Sequence, residues 1–138
     1  MEMHEVECAL SNNADSVRLS RSVVRRIVAS CPAEFVESAT LLTDELVTNA
    51  IRHGRPPIVL TIRFDAHALV IEVVDCGPGD PAPRDVDANA ERGRGLKIVD
   101  HVADEWGVHR LPEGKRVWCS LLVRTPAPVR RGVSINDV

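Results

Sequence analysis

The stretch TLLTDELVTNAIRHG, residues 40–54, decides the fold that the sequence predicts. At about 100° per residue its apolar side chains fall in one stripe, which is the pattern of a helix buried along one face. Glu45, Asn49 and His53 follow one another at four-residue spacing along one border of that stripe. A solvated helix flank is one interpretation of this row, and the polar edge of a binding site is the other. The stripe itself consists of Phe35, Ala39, Leu42, Leu46 and Ala50.

Signals on either side set the limits of this helix and of the elements before it. The helix is predicted over residues 33–53, closed by Gly54 in the left-handed conformation, and the Arg-Pro-Pro that follows prevents its resumption. Upstream, apolar periodicity predicts a short strand over residues 3–10 and a first helix over about residues 17–30.

The rest of the chain continues as two strands, a long loop, a helix and a closing hairpin. Alternating apolar residues indicate the strands. The loop, residues 77–92, is rich in Pro, Gly, Asp and Ala and lacks an apolar period. Connections of that length inside a compact domain are usually lids, binding loops or disordered segments. The remaining elements are predicted at residues 58–64, 68–75, from 95 onward, 106–111 and 116–123.

This order predicts an α/β fold, a two-layer sandwich whose mixed, mainly antiparallel sheet is covered on one face by three helices. A chain of 138 residues fits one domain with a real core, which we place at residues 1–123. Residues 124–138 have little to bury and are predicted to form a mobile C-terminal tail.

Composition narrows the class of protein. The longest apolar runs are far shorter than the roughly 20 residues that span a bilayer, and the N-terminus lacks a basic start followed by an apolar segment. Four scattered cysteines without a C-x-x-C pair argue against zinc and favour cytoplasmic thiols. A net charge of −3 and 3% aromatic residues disfavour nucleic-acid binding. We therefore expect a cytoplasmic protein with a protein or small-molecule partner and no membrane association.

Two further stretches give the polar row on the helix a context. A strand ends in DCGPG, residues 75–79, and GRGL, residues 93–96, opens another helical pattern. Together with NAIRHG, residues 49–54, they resemble the nucleotide site of the histidine-kinase-like ATPase superfamily. The resemblance is closest to the small bacterial anti-sigma-factor serine/threonine kinases and their free-standing ATP-binding relatives. It extends over about residues 10–123 in the family's order and implies an ATP pocket beside a mixed sheet.

The metal and the phosphates are assigned to two of these stretches. Asn49 offers an amide oxygen suited to Mg²⁺, which is usually completed by waters and substrate phosphates, and the matching Asn of the family is the metal ligand. Gly93 and Gly95 would leave bare backbone N–H groups at a helix start, where phosphate is attracted. Taken alone, G-R-G is also typical of a flexible turn. The resemblance includes Arg94 and Leu96 in the same nucleotide-binding segment.

Asp75 is assigned to the base. It ends a buried strand, where an unpaired carboxylate is costly, so a donor is needed; the resemblance makes that donor the adenine amino group. Gly77 and Gly79 then let the chain turn past the base, although a plain D-x-G turn is the alternative. Related kinases carry a threonine in the closing hairpin that shares these hydrogen bonds. Here Arg116 aligns with it. Lys115 is interpreted as a surface lysine of the turn, and contact with a phosphate is the alternative.

The resemblance implies that activity depends on Glu45. It precedes the metal ligand by one turn, and the resemblance implies that it orients or deprotonates the attacking hydroxyl or water. His53 is interpreted as a residue that stabilises the C-terminus of the helix, because a partly charged imidazole is favourable there. It is counted only as a neighbour of the site.

The resemblance implies an ATP-dependent serine/threonine kinase of the anti-sigma type that uses Mg²⁺, sequesters a sigma factor and phosphorylates its antagonist. It also suggests a homodimer. No helical hairpin with a phosphorylatable histidine precedes the predicted domain, so a complete sensor histidine kinase is not expected. Two alternatives stay open: a non-catalytic ATP-binding regulator whose lid gates a protein interface, and a plain interaction domain with a degenerate pocket, which Arg116 favours.

Overall fold

The computed structural model describes residues 2–77 and 96–124. Five strands and three helical segments make up these ranges, in the order that the sequence predicts. They are β1 (His4–Leu10), α1 (Ala14–Ile27), α2 (Ala33–His53), β2 (Ile58–Phe64), β3 (Ala68–Asp75), α3 (residues 96–102), β4 (Glu105–Leu111) and β5 (Gly114–Leu122).

The first helix lies about three residues earlier in the chain than predicted, at both ends. The side chain of Asn13 accepts a hydrogen bond of 2.9 Å from the backbone N–H of Asp15, which makes Asn13 the N-cap. At the other end the backbone N–H of Cys31 donates to the carbonyl of Val28 within a turn. The local turn therefore ends the helix before Pro32 can.

The central helix has the predicted bounds, but its closing residue has a different conformation. Gly54 has φ −106° and ψ −165°, which is extended backbone, and its N–H donates to the carbonyl of Ala50 at 2.8 Å. The prediction of a left-handed Gly54 is wrong. Any residue type can adopt this φ and ψ, so another reason must make glycine suitable here.

The sheet order is β1-β2-β3-β5-β4, and every neighbouring pair is antiparallel. The two-layer sandwich is confirmed, whereas the mixed character of the sheet is absent from the described strands. β3 and β4 do run in the same direction, because both are antiparallel to β5. They form no parallel pair because β5 lies between them.

The core lies between one face of this sheet and the helices. Alternate residues of the strands point into it, and the two long helices contribute fully buried side chains such as Val24 and Leu42. Val99 of α3 is also buried in this core. The opposite face of the sheet carries Arg63, Glu72 and Trp118. The residues of β2 and β3 that fill the core are Ile58, Leu60, Ile62, Phe64, Leu69, Ile71 and Val73.

Two further predictions concern membrane-spanning helices and the C-terminal tail. No helix within the described ranges has both the length and the apolar character needed to cross a membrane. The predicted tail falls outside the described residues except for Arg124, whose guanidinium donates to a carboxylate oxygen of Asp104 at 3.0 Å.

Candidate functional site

The end of β3 packs directly against the end of α2. The backbone N–H of Cys76 donates to the carbonyl of Arg55 at 2.9 Å, which ties the two chain segments together. A Cβ added at Gly54 would lie 2.3 Å from Cγ of Asp75 and less than 3 Å from both of its carboxylate oxygens. Glycine is therefore required at position 54 because the Asp75 carboxylate lies against its Cα, and backbone conformation plays no part.

The Asp75 carboxylate is buried, with 1% of the residue exposed, and it already has two donors. The backbone N–H of Gly77 donates to Oδ1 at 2.8 Å, and the ammonium of Lys115 donates to Oδ2 at 2.8 Å. Buried carboxylates need such partners, because an uncompensated charge in the interior is costly. The expectation that Asp75 needs a donor was sound. However, in this structure the donors come from the protein.

Lys115 is a buried member of this site. Only 7% of its side chain is exposed, so the interpretation of Lys115 as a surface lysine of the turn is wrong. The β3–β5 register places it directly opposite Asp75, although the two residues are 40 positions apart in the chain.

Arg116 faces the other side of the sheet. Successive strand residues point to opposite faces, so the residue after Lys115 points away from the helices. Its guanidinium lies 2.6 Å from Nδ1 of His109 and 3.9 Å from the carboxylate of Glu72. Lys115, and not Arg116, stands beside Asp75, and the alignment of Arg116 with a base-binding position is corrected accordingly.

Glycines let three backbone segments approach Asp75. Besides Gly54, a Cβ at Gly77 would lie 3.0 Å from Oδ1 of Asp75, and a Cβ at Gly114 would lie 1.8 Å from its carbonyl oxygen. The sequence reasoning missed Gly114, and it did not connect Lys115 with Asp75. The only available signal was the glycine in the turn PEGK, which fixes a turn without showing what it faces.

Asn49 and Glu45 extend the site away from Asp75 along α2. Counted from Gly54, they lie five and nine residues back, roughly 7–8 and 13–14 Å along the helix axis. Asn49 is buried, with 9% of the residue exposed, and Glu45 is half-buried. The row is therefore not a freely solvated flank. Asn49 and Glu45 border the core at these distances from the end of α2, where Asp75 lies.

Burial changes the acidity of Glu45. Desolvation raises the pKa of its carboxyl above the ordinary glutamate value, and the neighbouring charge of Asp44 raises the pKa further. Arg52 acts in the opposite direction. A carboxylate with a raised pKa is a better proton acceptor near neutral pH than an exposed one.

The structure tests only part of the predicted phosphate segment. Gly93, Arg94 and Gly95 lie outside the described residues, and so does Gly79, which is assigned to the turn past the base. Leu96 is the first described residue after them, and it packs partly buried against the core.

The donor set available for a metal is small. In the part of the chain that the structure describes, no group of three or more His, Cys, Asp or Glu side chains could hold a metal ion. The amide of Asn49 is compatible with Mg²⁺ that arrives with a nucleotide, because Mg²⁺ is commonly held by one or two protein oxygens plus phosphates and waters.

A separate cavity of about 450 Å³ lies at the other end of the sheet. It is formed where β2 and β5 end and α2 begins, and its lining includes Cys31, Phe35 and Phe64. None of the predicted site residues lines it. This cavity is therefore distinct from the predicted site, which is marked by the buried charges of Asp75 and Lys115.

Comparisons with known proteins bear on the family and the fold. The family model described as the histidine kinase-like ATPase domain matches residues 10–121. Among solved structures, the chain is similar to the histidine kinase domain from the Erythrobacter litoralis EL346 blue-light activated histidine kinase. The identity is 23%, the TM-score is 0.54, and the match covers 79% of this chain and 60% of that one.

A longer structure of the Erythrobacter litoralis EL346 blue-light activated histidine kinase is 21% identical, with a TM-score of 0.49 and coverage of 79% and 41%. The chain thus spans less than two thirds of either structure. The likeness to the histidine kinase domain, at 23% identity, concerns the fold alone. No curated protein matches the chain. Because the family model covers most of the sequence and the sandwich fold agrees with it, the chain belongs to the histidine kinase-like ATPase domain family.

Proposed function

We propose that this protein is a cytoplasmic ATP-dependent serine/threonine kinase of the anti-sigma type. Mg-ATP binds with its base at Asp75 and its phosphates toward the polar edge of α2. The observation that carries it is the placement of a buried carboxylate on Gly54, at the end of the helix that bears Asn49 and Glu45.

Recognition of the base falls to Asp75. A carboxylate has about four acceptor positions, and the described bonds from Gly77 and Lys115 use two of them. The amino group of adenine can donate to a third. The buried position of Asp75 supports this role, because a hydrogen bond to a charged group is stronger away from water.

The metal and phosphates are assigned to Asn49 and to the segment before α3. Mg²⁺ bound with the nucleotide would neutralise charge on the β- and γ-phosphates. The oxygen of Asn49 would hold that complex, and the phosphates themselves are assigned to Gly93 and Gly95, which lie outside the described residues.

Transfer of the phosphoryl group is assigned to Glu45. The oxygen of a Ser or Thr hydroxyl on the partner attacks the γ-phosphorus, the bond to the β–γ bridging oxygen breaks, and ADP leaves. Glu45 accepts the hydroxyl proton. Its raised pKa supports this role, because general-base catalysis works best when the pKa lies near the working pH.

A matched pair of variants on one helix tests the proposal. Glu45→Gln should bind Mg-ATP as the wild type does, but transfer phosphate to the partner at least about a hundredfold more slowly. Glu37→Gln, an exposed position on the same helix, should leave both binding and transfer unchanged. Calorimetric titration with ATP, with and without Mg²⁺, measures binding, and radiolabelled ATP with candidate sigma-factor antagonists measures transfer.

The outcomes separate the three functions that the sequence leaves open. Unimpaired transfer by Glu45→Gln would remove Glu45 from the mechanism. Saturable binding by the wild type without any phosphoprotein would favour a non-catalytic ATP-binding regulator that acts on a protein interface. Failure of millimolar ATP and ADP to raise the melting temperature would favour a plain interaction domain, because a ligand that binds only the folded state must stabilise it.

A further inference from the structure

Asp75 and Lys115 form a buried ion pair at the position where the proposed function places the base of the nucleotide. The carboxylate acceptor and the ammonium donor lie 2.8 Å apart, and both side chains are almost fully buried. Asp75 is held by the backbone N–H of Gly77 and by contact with Gly54. Lys115 is held opposite it by the β3–β5 register. The pair is therefore a fixed acceptor beside a fixed donor.

The pairing edge of adenine has the complementary arrangement. Its amino group donates, and the adjacent ring nitrogen N1 accepts. A neighbouring acceptor and donor on the protein can engage both at once, so the edge needs no bridging water. Resting on the proposed function, we infer that Lys115 is a specificity-determining residue that donates to N1 of adenine while Asp75 accepts from the amino group.

The donor capacity of Lys115 permits this contact. An ammonium has three N–H donors, and Asp75 takes one of them in the described structure. The base need not break the ion pair in order to bind. It adds one donor to the carboxylate and one acceptor to the ammonium, so both charges stay compensated throughout.

Guanine presents the same edge in the reverse order, with an accepting O6 and a donating N1–H. In the orientation that places position 6 of the base at Asp75, guanine sets an oxygen against the carboxylate. Asp75 is held by Gly77 and packed against Gly54 and cannot exchange places with Lys115. The pair therefore selects adenine over guanine.

A purely structural role for Lys115 makes a different prediction. If the ammonium only compensates the charge of Asp75, then removing Lys115 weakens binding of every adenine nucleotide by the same factor. If it donates to N1, then removing either Lys115 or N1 has the same effect, and removing both has no additional effect. An analogue of ATP that lacks N1 separates the two.

The experiment measures the affinity of ATP, 1-deaza-ATP and GTP, each with Mg²⁺, for the wild type and two variants. Lys115→Met keeps the bulk of the side chain without its donors. Arg116→Met is the matched control on the same strand and the opposite face of the sheet. The wild type and the control should bind 1-deaza-ATP about tenfold or more weakly than ATP, since a hydrogen bond to a charged group contributes that factor. Lys115→Met should bind the two equally.

Three results would overturn the inference. They are equal binding of ATP and 1-deaza-ATP by the wild type, a preference that persists in Lys115→Met, and tighter binding of GTP than of ATP. The wild-type comparison requires no substitution, so equal binding there rejects the inference even if Lys115→Met does not fold. Absence of ATP binding by the wild type would overturn the proposed function, and this inference with it. Each of the other results leaves ATP binding intact and rejects only the role of Lys115.

Discussion

Replacing Gly54 by alanine should destabilise the protein through contact with Asp75. The added Cβ would lie 2.3 Å from Cγ of Asp75, whereas carbon atoms in contact are separated by about 3.5 Å or more. The carboxylate must therefore move by roughly 1.2 Å. A shift of that size lengthens the 2.8 Å bonds from Gly77 and Lys115 beyond hydrogen-bonding range, unless the donors move with it.

The expected magnitude follows from the loss of this buried pair. Breaking a buried ion pair costs about 3–5 kcal/mol, because a charge is left without its partner. The φ of −106° at Gly54 adds no strain for alanine. Where the backbone conformation suits alanine, replacing glycine by alanine stabilises a protein by about 0.4–1 kcal/mol, because it lowers the conformational entropy of the unfolded chain. We expect Gly54→Ala to lower the free energy of unfolding by about 3 kcal/mol.

A double-mutant comparison isolates the cause. In the background Asp75→Ala/Lys115→Met the carboxylate atoms nearest to the added Cβ are gone, and no buried charge is left unpaired. There, Gly54→Ala should be neutral or slightly stabilising. Urea unfolding followed by circular dichroism gives the free energy of unfolding for all four proteins.

Equal destabilisation in the two backgrounds would refute the reasoning. That result is expected if position 54 needed a left-handed conformation, because the cost would then be independent of Asp75. A loss of less than about 1 kcal/mol in the wild-type background would also contradict it, since the contact would then relax without breaking the pair.

Two further predictions concern the acidity of Glu45 and the exposure of cysteines. The folded state raises the pKa of Glu45, so it favours the protonated form and loses stability as pH rises above the ordinary glutamate pKa of about 4.3. Melting curves should therefore show Glu45→Gln gaining stability relative to the wild type between pH 4 and 7, and a flat or falling difference would count against burial of this carboxylate. Cys76 is exposed and directly follows Asp75 in the chain, so a thiol reagent should modify it quickly and saturating Mg-ATP should slow that reaction at least severalfold. Cys31 lines the cavity at the other end of the sheet and is the internal control. Burial raises the pKa of the Cys119 thiol to about 12, so Cys119 should stay unreactive until the protein unfolds. Unchanged labelling of Cys76 with Mg-ATP present would place the nucleotide elsewhere.

Local signals were sufficient to locate most elements. The bounds of α2, β2 and β3 agree with the prediction because apolar periodicity and the flanking prolines act within a few residues. The first helix was misplaced by three residues, since several residues of SNNADS can cap a helix and only the structure shows that Asn13 does. The polar row on α2 was also correctly placed at the border of the core, because its position follows from the helical repeat.

The sequence by itself determined the family and the sandwich of helices on a sheet, and it predicted that the carboxylate of Asp75 needs a donor, because motifs and periodicity are carried by neighbouring residues. Only the tertiary structure decided what surrounds Asp75. Lys115 and Arg116 are adjacent in the chain and both are basic, so sequence alone cannot tell which of them faces the helices. The β3–β5 register puts Lys115 in the core and Arg116 on the other face. Gly54 likewise has its reason in a side chain 21 positions away, and contacts of that range are fixed when strands and helices pack together.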